Sequence, residues 1–532
     1  MNRRDRYPLL RLARIHSSHR PAALRAVGLL LGLLAFADLG DIRADEPNAA
    51  TQSRLKARLD AILAIPAGSR ARLSAQVLDL DSGQILYESH GGDPVIPASN
   101  MKLVMMAAAL DMLGTDYKYQ TVLAVRDTDL IVVGSGDPTL GDDRFAVERG
   151  TSITSVLHEW AAALKKAGVK QIPGNIVIDD SVFDSEFTHP RWPKNQYQAW
   201  YEAPVGGLNF AENCVKAMVS PTKAGKKARV QLVPGNTYVK IKNDTATSAK
   251  NGVVVSRQAK SDTLHVRGGV AKAGVLDKVT VRDPGLYFGS VLRTILATNG
   301  IKVGGDVKRE KVRLATGLLP KECHVVHIHR SPLSDALRRC GKDSRGMFAE
   351  VLLKTLGAKN GQVGSWDTGR SAAHIFLRKV GAPANQITID DGSGLSRNNR
   401  LSANIATLVL RYIYKSGALP FEMLRNSLAT PGTEGTLKKR LREAPLRDRI
   451  FAKTGYINNV WTLAGYARTE SDQWVAFAIF YNGSGKMPSP KNKIDEAVRV
   501  IAKWPNVGSQ PATPPKSKTT RTAATDDPEP RS

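Results

Sequence analysis

The chain has 532 residues, of which 42% are hydrophobic and 3 are cysteines, and its formal net charge is +27. This apolar fraction excludes a chain that is disordered throughout, and the few cysteines exclude a disulfide scaffold. The length predicts several domains, and the charge favours an anionic partner such as nucleic acid, acidic lipid or a cell-envelope polymer, with a basic surface that has no specific partner as the alternative.

Residues 1–44 have the pattern of an export signal. Seven arginines precede residue 26, and an apolar run of 12 residues, Ala26–Ala37, follows them. Such a run is too short to span a bilayer comfortably and is typical of a signal peptide, with Ala35-Phe36-Ala37 as its cleavage site. An uncleaved anchor is the alternative. We expect an exported protein of the periplasm or cell envelope, which argues against nucleic acid as a partner.

The two ends of the remaining chain are patterned as helices and hairpins. Residues 51–65 have helical apolar spacing, and residues 73–80 and 84–87 alternate around a turn as in a hairpin. A second hairpin is predicted over residues 462–467 and 474–481. Helical spacing also predicts helices within 347–356, 369–379 and 405–414.

The middle of the chain, residues 119–316, is rich in strand and turn signals. Within it, residues 214–281 read as almost wholly β and very basic. This arrangement predicts one domain that is interrupted by an insertion. From residue 508 the chain is of low complexity and is predicted to be a disordered tail.

The cysteines and a histidine triplet carry little functional signal. One disulfide pair with one cysteine left over is an open alternative for the three cysteines. Alternation along a strand places His324 on the opposite face from His327 and His329, so these side chains are interpreted as surface or packing residues and no metal site is predicted. The cysteines are Cys214, Cys323 and Cys340.

The first chemical motif is Ser99-Asn100-Met101-Lys102, an S-x-x-K that follows Pro97 and precedes an apolar run. Proline marks a helix start, so Ser99 should lie at a helix N-terminus with Lys102 one turn later on the same face. A serine becomes a nucleophile when a neutral lysine accepts its proton, which partial burial of the lysine promotes. The same pattern at Ser53 and Lys56 lies on an amphipathic helix without a start signal and is interpreted as a solvated face.

The second motif is Lys453-Thr454-Gly455, followed by Tyr456. On an edge strand that faces a serine nucleophile, the lysine can attract a substrate carboxylate and the glycine leaves room for substrate. An ordinary surface turn is the alternative. S-x-x-K near the front and K-T-G near the back together form the signature of penicillin-binding proteins and serine β-lactamases.

The chain therefore resembles the D-alanyl-D-alanine carboxypeptidase/endopeptidase family of low-molecular-mass (class C) penicillin-binding proteins, over residues 55–504. The resemblance implies an α+β fold in which a transpeptidase-like domain, an antiparallel sheet flanked by helices, is split by a β-rich two-part insertion. Besides the two motifs it rests on segments that begin at Gly134, Ala203, Gly364, Asp391 and Gly435.

This resemblance divides the chain at defined positions. The leader, 1–44, is followed by the first part of the transpeptidase-like domain at 45–118. The inserted domains occupy 119–316, with about 211–281 as a nested basic unit. The second part of the transpeptidase-like domain covers 317–507, and the tail is 508–532.

The third motif of the family, S-x-N, departs from its usual form. It is expected just before Phe348-Ala349-Glu350, which places it at Ser344-Arg345-Gly346, with glycine in the place of the usual asparagine. The resemblance implies that Ser344 bridges Lys102 and Lys453 and relays a proton. Loss of the asparagine is expected to weaken substrate positioning, with water or Arg345 filling the gap.

The resemblance implies a reaction through an acyl-enzyme, without metal or organic cofactor. Ser99 would attack the penultimate D-Ala carbonyl of a peptidoglycan stem peptide, and Lys102 would take its proton. The N–H groups of Ser99 and Tyr456 would hold the oxyanion, while Lys453 and Thr454 would bind the terminal carboxylate. β-Lactams are expected to acylate the same serine.

Three other interpretations remain open at this stage. A non-catalytic peptidoglycan-binding protein would follow if Gly346 marked a degraded site. A β-lactamase or esterase on the same fold would reveal itself by rapid deacylation. A nucleic-acid binder is opposed by the export signal and by the absence of a reader motif. Anionic envelope polymers are a further candidate partner, and the oligomeric state is left open.

Overall fold

The computed structural model describes residues 49–359, 361–483 and 489–506. The predicted signal peptide and the whole predicted tail, 508–532, therefore lie outside the described residues. Among the helices of the described part, none combines the length and the apolar character needed to cross a bilayer.

Helices and strands alternate in a mixed order along the chain. The helices are α1 Ala49–Leu63, α2 Met101–Leu113, α3 Asp143–Glu148, α4 Ser155–Lys166, α5 Pro284–Thr298, α6 Leu333–Lys342, α7 Gly346–Ala358, α8 Trp366–Val380, α9 Ala403–Lys415, α10 Ala418–Asn426 and α11 Pro490–Ala502. The strands are β1 Arg72–Asp79, β2 Ile85–Ser89, β3 Lys118–Arg126, β4 Asp129–Val133, β5 Gln171–Ile172, β6 Ile176–Asp179, β7 Cys214–Ser220, β8 Arg229–Val233, β9 Lys240–Thr247, β10 Val254–Arg257, β11 Thr263–Val270, β12 Gly274–Val275, β13 Val279–Thr280, β14 Lys302–Val303, β15 Val307–Arg309, β16 His324–Pro332, β17 Ile387–Thr388, β18 Arg400–Leu401, β19 Ile450–Ile457, β20 Val460–Arg468 and β21 Trp474–Asn482.

One antiparallel sheet joins the two ends of the chain, in the order β19-β20-β21-β1-β2. Its central strand β21 is buried on both faces, because its side chains alternate between two apolar clusters. Ala476, Ala478 and Phe480 pack on the side of α2 and α9, whereas Phe477 and Ile479 pack on the side of α1 and α11. Both faces of the sheet are therefore covered by helices, which agrees with the predicted fold class.

Helix α2 forms the centre of the larger cluster. Each residue from Met101 to Leu110 is buried, including Lys102. A helix that is apolar all round needs neighbours on every side, and α2 packs against α6, α7, α8, α9 and α10. The first turn of α2 is therefore held rigidly, which matters because the S-x-x-K motif lies there.

The middle of the chain forms its own sheets. The largest has the order β15-β6-β4-β3-β16, and strands β7 to β13 build two smaller sheets. Residues 214–281 are thus almost wholly β, as predicted. Because β16 pairs with β3 along its length, we propose that the inserted unit extends to about residue 332, beyond the predicted boundary at 316.

The local predictions for the two ends are confirmed. The helix at 51–65, both hairpins and the three later helices are present within a few residues of their predicted bounds. All three cysteines are buried and unpaired, so the alternative of one disulfide is wrong for this structure. The rings of His327 and His329 pack near Trp160, in agreement with their interpretation as packing residues.

Candidate active site

Ser99 and Lys102 lie at the start of α2, as the motif predicted. A single 3-10 turn, Ala98–Asn100, leads into the helix, and Lys102 follows in its first turn. The ammonium Nζ of Lys102 lies 3.0 Å from Ser99 Oγ. The serine is partly exposed and the lysine is 2% exposed. The pair therefore has the geometry of a serine nucleophile beside a buried base.

A second buried lysine approaches the same place from the sheet. Lys453 lies on β19 and is fully buried. Burial lowers the pKa of Lys102, although Cys340, Glu350 and Asp391 oppose the shift. Burial, and then the charge of Lys102, hold the pKa of Lys453 well below its usual range. Both shifts make the neutral form, which can accept a proton, easier to reach than in an exposed lysine.

Strand β19 lies against the turn that carries Ser99, and Gly455 permits this contact. A Cβ atom at position 455 would lie 2.1 Å from Thr462 Oγ1 and 3.0 Å from the carbonyl oxygen of Pro97. Thr462 itself donates a hydrogen bond to that carbonyl and accepts one from Asn100 Nδ2. Only glycine therefore allows the K-T-G strand to approach the nucleophile this closely.

The remaining residues of the second motif line the outer side of β19. Thr454 is partly exposed and donates a hydrogen bond to Thr436 Oγ1 at 2.8 Å. Tyr456 is 66% exposed, so its ring is available to a bound molecule. Lys453 Nζ also donates to the carbonyl oxygen of Thr454 at 2.7 Å.

Ser344 contacts one of the two lysines rather than both. Lys453 Nζ donates a hydrogen bond to Ser344 Oγ at 2.8 Å. The hydrogen bonds of Lys102 Nζ, within the described residues, are with Ser99 Oγ and with the carbonyl oxygen of Ser393. The expected bridge between the two lysines is therefore only half formed in this structure.

Gly346 is buried at the N-terminus of α7. A Cβ atom there would lie 3.2 Å from the carbonyl oxygen of Tyr201, which belongs to the inserted part of the chain. The ring of Trp200 lies below the guanidinium of Arg345, 4.5 Å from its carbon. The segment of the insertion that contains Trp200 and Tyr201 thus lies beside Gly346, where the Cβ atom of an asparagine would be.

Sequence reasoning used the segment that begins at Asp391 only for the family resemblance and missed its place behind Lys102. The carbonyl oxygen of Ser393 accepts a hydrogen bond from Lys102 Nζ at 2.6 Å. The N–H groups of Gly392 and Ser393 both donate to the carboxylate of Glu350, and so does the indole of Trp366. Glu350 is fully buried, and burial raises its pKa to about 7. It was visible in the sequence as one acidic residue inside an apolar helical run.

Two residues of the site have a strained backbone. Ala98, just before the nucleophile, has a φ of 45°, and Ser344 has a φ of 58°. The left-handed region costs a residue with a side chain roughly 1–2 kcal/mol. Gly394 packs so closely behind Ala98 that a Cβ atom on it would lie 1.7 Å from the Ala98 carbonyl oxygen. The surrounding loops therefore hold Ser99 in a conformation that the chain would not adopt alone.

The family model described as the D-Ala-D-Ala carboxypeptidase 3 (S13) family matches residues 55–504. The chain belongs to this family. The match includes S-x-x-K, K-T-G and the loop behind Lys102, so the S13 framework covers every part of the site described above.

Individual S13 relatives match along most of their length. A D-alanyl-D-alanine carboxypeptidase of Actinomadura is 31% identical over 88% of this chain and 89% of its own. Penicillin binding protein 4 of Haemophilus influenzae is 24% identical, with a TM-score of 0.68 over 84% of this chain and 99% of that one. The same Haemophilus protein in complex with a β-lactam gives a TM-score of 0.63, with the same identity and coverage. The fold of this chain is therefore that of a penicillin-binding protein.

Proposed function

We propose that the protein is a serine D,D-peptidase that cleaves D-alanyl bonds of peptidoglycan through an acyl-enzyme. The observation that carries the proposal is the 3.0 Å contact between Lys102 Nζ and Ser99 Oγ, with K-T-G on the adjacent strand. Family membership supports the peptidase activity and the D-Ala-D-Ala specificity. The relatives' names support a D-alanyl-D-alanine substrate and penicillin binding, and the predicted signal peptide supports export to the periplasm or cell envelope.

In the first half of the reaction, neutral Lys102 takes the proton of Ser99 as Oγ bonds to the penultimate D-Ala carbonyl carbon. The backbone N–H groups of Ser99 and Tyr456 stabilise the oxyanion. The bond from that carbon to the leaving nitrogen then breaks. For the proton on Lys102 to reach the departing amine through Ser344, Lys102 Nζ must turn toward Ser344 Oγ, which already accepts a hydrogen bond from Lys453 and so can pass its own proton to the amine.

In the second half, water attacks the acyl-enzyme and Lys102 accepts its proton. Release of the acid returns a proton to Ser99 Oγ and restores the free enzyme. The terminal carboxylate of the substrate binds Lys453 and Thr454, and its charge raises the pKa of Lys453 and favours the ammonium form. The same chemistry serves a terminal D-Ala or a D-alanyl cross-link, so we propose both carboxypeptidase and endopeptidase activity.

Gly346 does not remove any group that this reaction needs. The Ser393 carbonyl accepts a hydrogen bond from Lys102, so this lysine is held without a side chain at position 346. The nucleophile, the base and the proton donor are all present. We therefore propose an active enzyme rather than a degraded binding protein, with β-lactams as covalent inhibitors.

The test is covalent labelling of the purified chain with a fluorescent penicillin. We expect the wild type to label, and Ser99→Ala to lose the label while its circular dichroism is unchanged. The matched control is Ser53→Ala, which removes the exposed serine of the other S-x-x-K and should label like the wild type. Label that survives in Ser99→Ala would remove Ser99 as the nucleophile. A folded wild type that takes no label would favour the binding-protein alternative.

A further inference from the structure

A cleft between the loop 439–447 and helix α11 collects positive charge. Its volume is about 570 Å³. The cationic residues that line it are Lys439, Arg440, Arg442, Arg447, Lys491 and Arg499. Its acidic residues are Glu443 and Asp495, which leaves an excess of four positive charges around one cavity.

Both carboxylates of the cleft are already neutralised. Arg440 Nη2 lies 2.6 Å from Asp495 Oδ1, and Arg499 Nη2 lies 2.7 Å from Glu443 Oε1. No carboxylate of the described residues lies within ion-pair distance of Lys439, Arg442, Arg447 or Lys491, all of which are exposed. Like charges around one cavity repel each other, so a bound anion would remove an unfavourable interaction.

The backbone of the loop directs the side chains of Arg440 and Arg442 to different sides. Leu441 has a φ of 49° and its side chain is buried. On one side of it, Arg440 turns inward onto α11; on the other, Arg442 is exposed at the cleft. The left-handed region is unfavourable for a residue that has a Cβ atom. The packing of the buried Leu441 side chain must therefore maintain this backbone conformation.

We propose that this cleft binds a ligand that carries two or more phosphate groups. Arginine and lysine both bind phosphate oxygens through charge-assisted hydrogen bonds, and guanidinium groups match their geometry. A diphosphate brings several negative charges into one cavity, whereas a carboxylate brings only one, so a diphosphate matches the excess of positive charge better. The loop begins three residues after Thr436, the hydrogen-bond partner of Thr454, and Leu441 packs with α11 on the face of the sheet opposite to α2. This site is independent of the proposed reaction.

The test uses calorimetry with inorganic pyrophosphate and the full chain. We expect wild-type binding, and a loss of affinity of about tenfold or more in the double variant Arg442→Ala/Lys491→Ala, because both side chains are exposed and neither has an ion-pair partner among the described residues. The matched control is Lys226→Ala/Lys227→Ala, which removes the same charge from an exposed turn outside the cleft. The control should bind like the wild type. Equal losses in both double variants, or no binding to the wild type, would overturn the proposal.

Vesicles distinguish the sources of phosphate. Co-sedimentation with phosphatidylcholine vesicles that contain cardiolipin, but not with phosphatidylcholine alone, would assign the ligand to lipid headgroups if the cleft variant fails to sediment. Pyrophosphate binding without sedimentation would assign it to a phosphorylated polymer or soluble phosphate. Fluorescent penicillin labelling, expected to be equal in all variants, shows that each is folded and separates this proposal from the proposed function.

Discussion

At the scale of single residues, the state of Lys102 decides whether Ser99 can be activated. The lysine is buried in an apolar helix and faces a second buried lysine. Electrostatic interactions with Cys340, Glu350 and Asp391 oppose this and favour the charged form. Burial is the larger effect, so the pKa of Lys102 is lowered from 10.5.

This lowered pKa predicts the pH dependence of acylation. Lys102 accepts a proton only when it is neutral, so the rate should rise as pH increases through its pKa and fall as pH decreases below it. Because the pKa is lowered, the rise should be centred below the value of 10.5 for an exposed lysine. The measurement is the second-order rate constant of penicillin acylation between about pH 5 and about pH 10. A rise centred near 10.5 would contradict the role of Lys102 as base.

Restoring the asparagine at position 346 is expected not to improve the enzyme. The new Cβ would lie 3.2 Å from the Tyr201 carbonyl oxygen, so in Gly346→Asn that oxygen must move by a few tenths of an ångström. Overpacking of this kind costs roughly 1–3 kcal/mol. We expect a lower melting temperature and no gain in acylation rate, measured against Gly346→Ala, which adds only the Cβ. A faster Gly346→Asn would mean that the Ser393 carbonyl does not replace the missing side chain.

At the scale of elements, helix α7 positions the loop behind Lys102 through Glu350. Its carboxylate accepts two backbone N–H groups from the loop, at 2.9 Å from Gly392 and 2.7 Å from Ser393. These contacts orient the Ser393 carbonyl toward Lys102. A substitution of Glu350 therefore acts on the base through the loop.

We predict that Glu350→Gln slows penicillin acylation by about tenfold or more, because an amide can offer only one acceptor oxygen to three donors. The acid limb of the pH profile should also move, since a neighbouring charge is lost. The matched control is Glu202→Gln, at a glutamate that is 2% exposed and whose Oε1 has no partner among the described residues. Equal rates in both variants would show that Glu350 does not position Lys102.

The sequence predicted the elements and motifs better than the contacts between them. S-x-x-K and K-T-G could be paired because each residue type has a distinct chemical use, and the structure brings them together. The Ser393 carbonyl could not be predicted, because a backbone oxygen leaves no signal in residue type. Tyr201 was missed because the insertion reaches the site only through tertiary packing, which periodicity does not report.

At the scale of the whole molecule, a buried ion cluster fastens the inserted region to α6. The guanidinium of Arg339 is 2% exposed and lies 2.7 Å from Asp142 Oδ2 and 3.2 Å from Glu212 Oε1. It also pairs with Asp343, one residue before Ser344. The carboxylates of Asp142, Asp143 and Glu212 lie within 4.8 Å of one another, and Arg339 is placed among them. The cluster thus links the fold of the insertion to the active site.

Removing the guanidinium of Arg339 should weaken the attachment of the inserted region to α6. Arg339→Leu leaves Asp142 buried without its ion-pair partner, which typically costs about 3–5 kcal/mol, whereas Glu212 keeps its ion pair with Lys278. We expect a lower first unfolding transition by calorimetry, faster proteolysis between the inserted region and α6, and weaker penicillin labelling because Ser344 loses its support. Arg338→Leu is the matched control, since the pair of Arg338 with Glu148 is partly exposed and surface pairs contribute little. If both variants unfold at the wild-type temperature, the cluster does not hold the insertion in place, and the active site must be supported by the packing of α6 and α7 alone.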